Sequence, residues 1–111
     1  MPKSKRSKAT EFDAKTRQLI RQRDGKCIFC KMGKYGKSEC DWIIDIMHYV
    51  PRSAGGLGIK ENGALGCRWH HSLMDNGNKG IRLEMLEDME AYLKSWYPEW
   101  NKDNLIYRKE Y

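Results

Sequence analysis

Apolar residues come in short bursts along this chain, and their spacing shifts from helical to alternating and back. From Asp13 to Arg23 a charged run with Phe12, Leu19 and Ile20 available for a core predicts a helix, stopped by Asp24-Gly25. Lys26-Cys27-Ile28-Phe29-Cys30 is a tight knuckle, and residues 31–39 form a Gly/Lys loop. Trp42 to Val50 gathers β-branched and aromatic residues and predicts a strand, ended by Pro51. Residues 53–58 carry little side chain and read as a turn. Asn62 to Gly66 predicts a short second strand, and Cys67 to Met74 a helix closed by Asp75-Asn76-Gly77. Over Arg82 to Trp96, Leu86, Met89, Leu93 and Trp96 share one face of a last helix, and Pro98 follows it. In the tail from Trp100, Leu105, Ile106 and Tyr107 supply apolar surface for docking on the body. Residues 1–9 alternate Lys and Arg with Ser and Pro and have nothing to bury, so they are expected to be a disordered basic tail. The pattern is that of one α+β domain over residues 10–111 with a C-terminal helical extension.

At 111 residues, 40% hydrophobic and 32% charged, the chain has a modest core, and a domain of this size often needs a staple. Four cysteines allow two disulfides, but the basic first ten residues lack the apolar run of a secretory leader. No stretch has the length of a membrane span. Cysteines with histidine neighbours in such a chain read as a metal site in a reducing compartment, and the expected location is cytoplasmic. Charge sharpens the picture. Residues 1–37 hold 12 Lys/Arg against 3 Asp/Glu, and residues 38–111 hold 9 against 12. A basic N-terminal third on a nearly neutral body suits either a phosphate-bearing partner or a solvated tail that aids solubility, and Lys15, Arg17, Arg21 and Arg23 on the predicted helix favour nucleic acid.

Cys27-x-x-Cys30 and Cys67-x-x-His70 supply three thiolates and one imidazole from two local knuckles, the set a closed, structural zinc site takes. Cys40 lies outside both knuckles and reads as a leftover thiol, or as a substitute for His70 as fourth ligand. Trp42, Trp69, Trp96 and Trp100 are expected in the core or at interfaces rather than as base-stacking platforms.

His48 followed by Tyr-Val-Pro-Arg-Ser and Gly55-Gly56, Asn62 14 positions on and His71 nine beyond that, interleaved with the zinc knuckles, resembles the HNH endonuclease family over residues 26–77. Taken singly, His48 shares a strand face with Ile44 and Ile46 and reads as a core histidine, Asn62 as a turn residue and His71 as a surface one; the joint spacing reads otherwise. The resemblance implies a ββα-metal (His-Me finger) core, here stabilised by the structural zinc and flanked by N- and C-terminal helices. It also implies hydrolysis of DNA with one divalent ion (Mg²⁺, Mn²⁺ or Ni²⁺), by nicking or double-strand cleavage, leaving 5′-phosphate and 3′-hydroxyl ends. By similarity His48 is the general base, Asn62 fixes the hairpin loop or orients His48, and His71 ligates the ion. An imidazole with a pKa near 6.5 suits activation of water at neutral pH. Asp75, four residues past His71, shares its helical face and is a candidate co-ligand. Met47 stands where many members carry Asp or His as a ligand. A thioether is a poor donor for a hard ion, so Asp45, or Asp75 with water, is expected to complete the shell. Arg52 and Arg68 join the basic helix as candidate contacts to the DNA backbone. Small members of this kind are encoded by bacteriophages, which implies a host-cell cytoplasm and leaves room for a homodimer or a phage partner protein. The alternative class is a zinc-stabilised nucleic-acid-binding module without catalysis.

Overall fold

Buried ends and caps, more than long apolar runs, decide where the elements of this chain begin and stop. The computed structural model describes residues 4–36 and 42–108. Helix α1 (Lys5–Thr10) forms where the pattern predicts disorder. Ser4 caps it by accepting a hydrogen bond from the Ser7 amide, and tertiary contacts hold it. Thr10 is buried, the Gly58 amide donates to the Ala9 carbonyl, and the Arg6 guanidinium donates to the carbonyls of Arg52 and Ser53. The expectation of a disordered tail is therefore corrected over residues 4–9: the ordering comes from distant partners, to which a local pattern is blind.

Helix α2 (Ala14–Asp24) opens on the Asp13 carboxylate, which accepts from the Thr16 amide, and closes at Gly25. It buries Ile20 against Phe12 and Leu65, while Leu19 faces outward. Its last residue carries a second function. The Asp24 carboxylate takes both arms of Arg23, the Leu65 amide and the Tyr92 hydroxyl, so one buried anion joins α2 to the sheet and to the last helix. The knuckle holds a short helix α3 (Ile28–Met32) that buries Ile28 and Phe29.

Strands β1 (Ile44–His48) and β2 (Gly63–Cys67) pair antiparallel, with Ile44 opposite Cys67 and His48 opposite Gly63. β2 runs directly into α4 (Arg68–Asn76), and α5 (Lys79–Trp96) follows, capped by the Asn78 side chain. The fold is thus α+β, a two-stranded sheet among helices. α5 starts three residues before the predicted Arg82. Its deeply buried positions are Met85, Met89 and Leu93, an i, i+4, i+8 row, whereas Trp96 is half exposed. The tail docks as expected: Leu105 is buried and main-chain bonds join residues 105 and 107 to 57 and 55. Of the four tryptophans, Trp100 is buried and donates its Nε1–H to the Glu61 carbonyl, Trp42 and Trp96 stand out from the body, and Trp69 is partly exposed. No helix among the described residues is long and apolar enough to cross a membrane.

Candidate metal centre and candidate active site

Two separate clusters of chemistry lie on either side of α4. The first joins α3 to the β2–α4 junction. His70 Nδ1 is 3.3 Å from Cys67 Sγ, 3.5 Å from Cys30 Sγ and 3.6 Å from Cys27 Sγ, and the Cys30 and Cys67 sulfurs are 3.9 Å apart. A tetrahedral ion with Zn–S bonds of about 2.3 Å and a Zn–N bond of about 2.0 Å sets S–S edges of about 3.8 Å and S–N edges of about 3.5 Å. These four distances match those edges, all four atoms lie within 4.8 Å of one another, and none of the three cysteines is in a disulfide. The His70 Nε2–H donates to the Lys34 carbonyl at 3.0 Å, which turns the Nδ1 lone pair toward the sulfurs. Cys27, Cys67 and His70 are fully buried. Burial pushes the Cys27 thiol up, so a bound divalent cation would take the place of protons there. This Cys3His group is suited to hold a structural metal ion such as zinc. Cys40 lies outside the described residues.

The second cluster lines an open cleft of about 590 Å³ between α2, β1 and α4. His48, at the end of β1, is half-buried beside the Phe12 ring, 4.2 Å between centroids. Its Nε2 lies 3.0 Å from the Thr10 carbonyl oxygen. A carbonyl only accepts, so in the neutral ring Nε2 carries the proton and Nδ1 keeps its lone pair. Burial lowers the His48 pKa from its ordinary value, the bond to Thr10 opposes this, and the charges of Arg52 and His71 add to the lowering. The ring is therefore neutral at pH 7 and able to accept a proton.

Across the cleft, His71 on α4 stands between two carboxylates. Its Nδ1 is 2.9 Å from Asp45 Oδ2 and its Nε2 is 3.3 Å from Asp75 Oδ2. Asp45 also takes a two-pronged bond from Arg68, at 2.8 and 3.1 Å, and this guanidinium, helped by His71, holds its carboxyl below the usual range. The expected trio of Asp45, His71 and Asp75 is brought together, but not around one point. The carboxylates sit on opposite ring nitrogens, and one ion reaches both only if a side chain turns. Among the described residues, only the Cys3His group brings three or more such ligand atoms within 4.8 Å of one another.

Asn62 is fully buried, and the hydrogen bonds of its side chain do not go to His48. Its side-chain oxygen accepts from the Val50 amide, and its amide donates to the carbonyls of Val50 and Leu57, so it fixes the hairpin loop, the first of its two expected roles. Arg17, Arg21, Arg52 and Arg68 line the cleft. Arg23 does not, and its assignment to nucleic acid is corrected. Its side chain is only 6% exposed and is used inside, on Asp24, the carbonyls of Lys60 and Gly63, and the Tyr97 hydroxyl. Met47 points away from the cleft into the core, where a Cβ at Gly66 would lie 2.3 Å from its sulfur. Met47 is not among the residues that line the cleft. Sequence reasoning missed Thr10 and Phe12, which bond and flank the His48 ring. A main-chain carbonyl leaves no mark in a sequence, whereas Phe12 was legible as an apolar residue without its target.

Comparison of the chain with protein-family models, with curated proteins and with solved structures found no match.

Proposed function

We propose that the chain is an HNH-type endonuclease, with β1, β2 and α4 as a ββα-metal core, that hydrolyses DNA phosphodiester bonds with a divalent cation. The observation that carries this reading is a half-buried His48, its Nε2 3.0 Å from the Thr10 carbonyl oxygen, lining a cleft with four arginines and the His71–Asp45 pair. His48 takes the proton of an attacking water at Nδ1. The water oxygen bonds to phosphorus as the bond to the 3′-oxygen breaks, and the departing oxygen takes a proton from solvent. Arg52, Arg17 and Arg21 hold phosphate oxygens without reading bases. His71 and Asp45, whose Nδ1 and Oδ2 are 2.9 Å apart, would hold the divalent cation once the proton between them is lost. Such an ion supplies Lewis-acid stabilisation of charge on the phosphate and the leaving oxygen. Asp75 faces the other nitrogen of His71 and would join them only if a side chain turned.

A second reading, a zinc-stabilised DNA-binding module without catalysis, is favoured by one observation: Arg68 already occupies both oxygens of Asp45. Incubating supercoiled plasmid with wild type and His48→Ala, in Mg²⁺, Mn²⁺, Ni²⁺ or EDTA, separates the two. The nuclease reading expects nicking by wild type with at least one ion, none in EDTA, and a loss of about 10²-fold or more in His48→Ala. DNA retention with no cleavage under any ion would establish the module instead.

A further inference from the structure

We propose that helix α1 is a positioning element for His48, fixing the tautomer and direction of its ring through the main-chain carbonyl of Thr10. This rests on the reading of His48 as general base. A free neutral imidazole mixes two tautomers, and only the one with Nδ1 unprotonated accepts a proton there. In the described structure the single N–H of the ring meets the Thr10 carbonyl at 3.0 Å. Thr10 is the last residue of α1, so its carbonyl has no partner within the helix and is available to a side chain.

That carbonyl is held in place from several sides. The Gly58 amide donates to the Ala9 carbonyl at 2.8 Å, and Gly58 approaches so closely that a Cβ there would stand 2.1 Å from the Glu11 carbonyl oxygen. Arg6 reaches from α1 to the carbonyls of Arg52 and Ser53, at 3.3 and 3.1 Å, in the turn after the strand that bears His48. The Thr10 hydroxyl donates back to the Arg6 carbonyl at 2.9 Å and ties the helix end to the arginine. The Phe12 ring then lies against the imidazole. The hairpin's own buried amide, Asn62, is spent on Val50 and Leu57. The ring is thus set by a segment outside the hairpin.

The test uses the full, zinc-loaded chain labelled with ¹⁵N, in which long-range ¹H–¹⁵N spectra report the protonated nitrogen of each of the three histidines. Wild type is expected to show His48 with Nε2 protonated and Nδ1 bare. Gly58→Ala pushes the Glu11 carbonyl away and should bring the two His48 nitrogens toward tautomer-averaged positions. His70, held by Lys34, should not change. Arg6→Ala, a surface change, should do the same in part and serves if Gly58→Ala does not fold. On plasmid, both variants should show a roughly tenfold fall in kcat with KM unchanged, within what displacing a general base costs. An Nδ1–H tautomer in wild type, or an unchanged His48 pattern in folded variants, would overturn the proposal. If wild type cuts nothing while its ring is fixed and the variants free it, the nuclease reading falls and the hold of α1 on His48 stands.

Discussion

Met47 is fully buried with its thioether against the Gly66 backbone, so Met47→Asp puts a carboxylate where water does not reach. An unpaired buried charge of this kind costs several kcal/mol, and the lost packing adds about 2 kcal/mol. The expected outcome is a large drop in thermal midpoint and no gain in cleavage; a folded variant that cuts faster would show that the residue reaches the cleft after all. His48 carries a pH prediction. Its pKa is lowered from the ordinary 6.5 by burial first of all, so the ring stays deprotonated down to below that value. The acidic limb of a kcat/KM profile should therefore fall below pH 6.5, and His48→Ala should remove it. For stability the sign is the same: the folded protein holds this proton less tightly than the unfolded chain. The His48 contribution is fully present above pH 6.5 and is lost as pH falls through the folded value.

At the scale of elements, the Cys3His cluster is what fastens α3 to the start of α4, and α4 in turn carries His71. Chelation, or Cys67→Ser, should melt the domain in far-UV circular dichroism and release one zinc per chain; a chelated protein with its helices intact would remove the structural role. These ligands were legible in the sequence because two knuckles fix their residues locally. The hairpin was legible too, through β-branched residues on one strand and a turn before the other. What stayed hidden was set by distant partners. Helix α1 has no apolar periodicity and depends on Gly58, Arg52 and Ser53. Arg23 looks like any cation on a basic helix until Asp24 and the carbonyls of residues 60 and 63 are in place. The row on α5 was shifted because Leu86 and Met85 are neighbours in sequence, and only packing decides which one faces inward.

Across the whole molecule, the basic excess of residues 1–37 reaches the cleft through Arg17 and Arg21, while Arg52 and Arg68 face it from the hairpin side. DNA affinity should fall steeply with salt, and each of these arginines that touches a phosphate contributes about −0.9 to the slope of log K against log salt. Arg21→Ala should make that slope shallower by about that amount in a fluorescence-anisotropy titration. Arg23→Ala should leave it unchanged while lowering the thermal midpoint. The metal centre has a topological consequence as well. Cys30 and Cys67 are 37 positions apart, and an ion bridging them turns the intervening chain into a closed ring that contains His48 and Asn62. Read as a cross-link, closure of a ring that size removes roughly 4 kcal/mol of conformational freedom from the unfolded chain. A single backbone cut inside the ring opens it without separating the two fragments, which the ion keeps tethered until it is withdrawn.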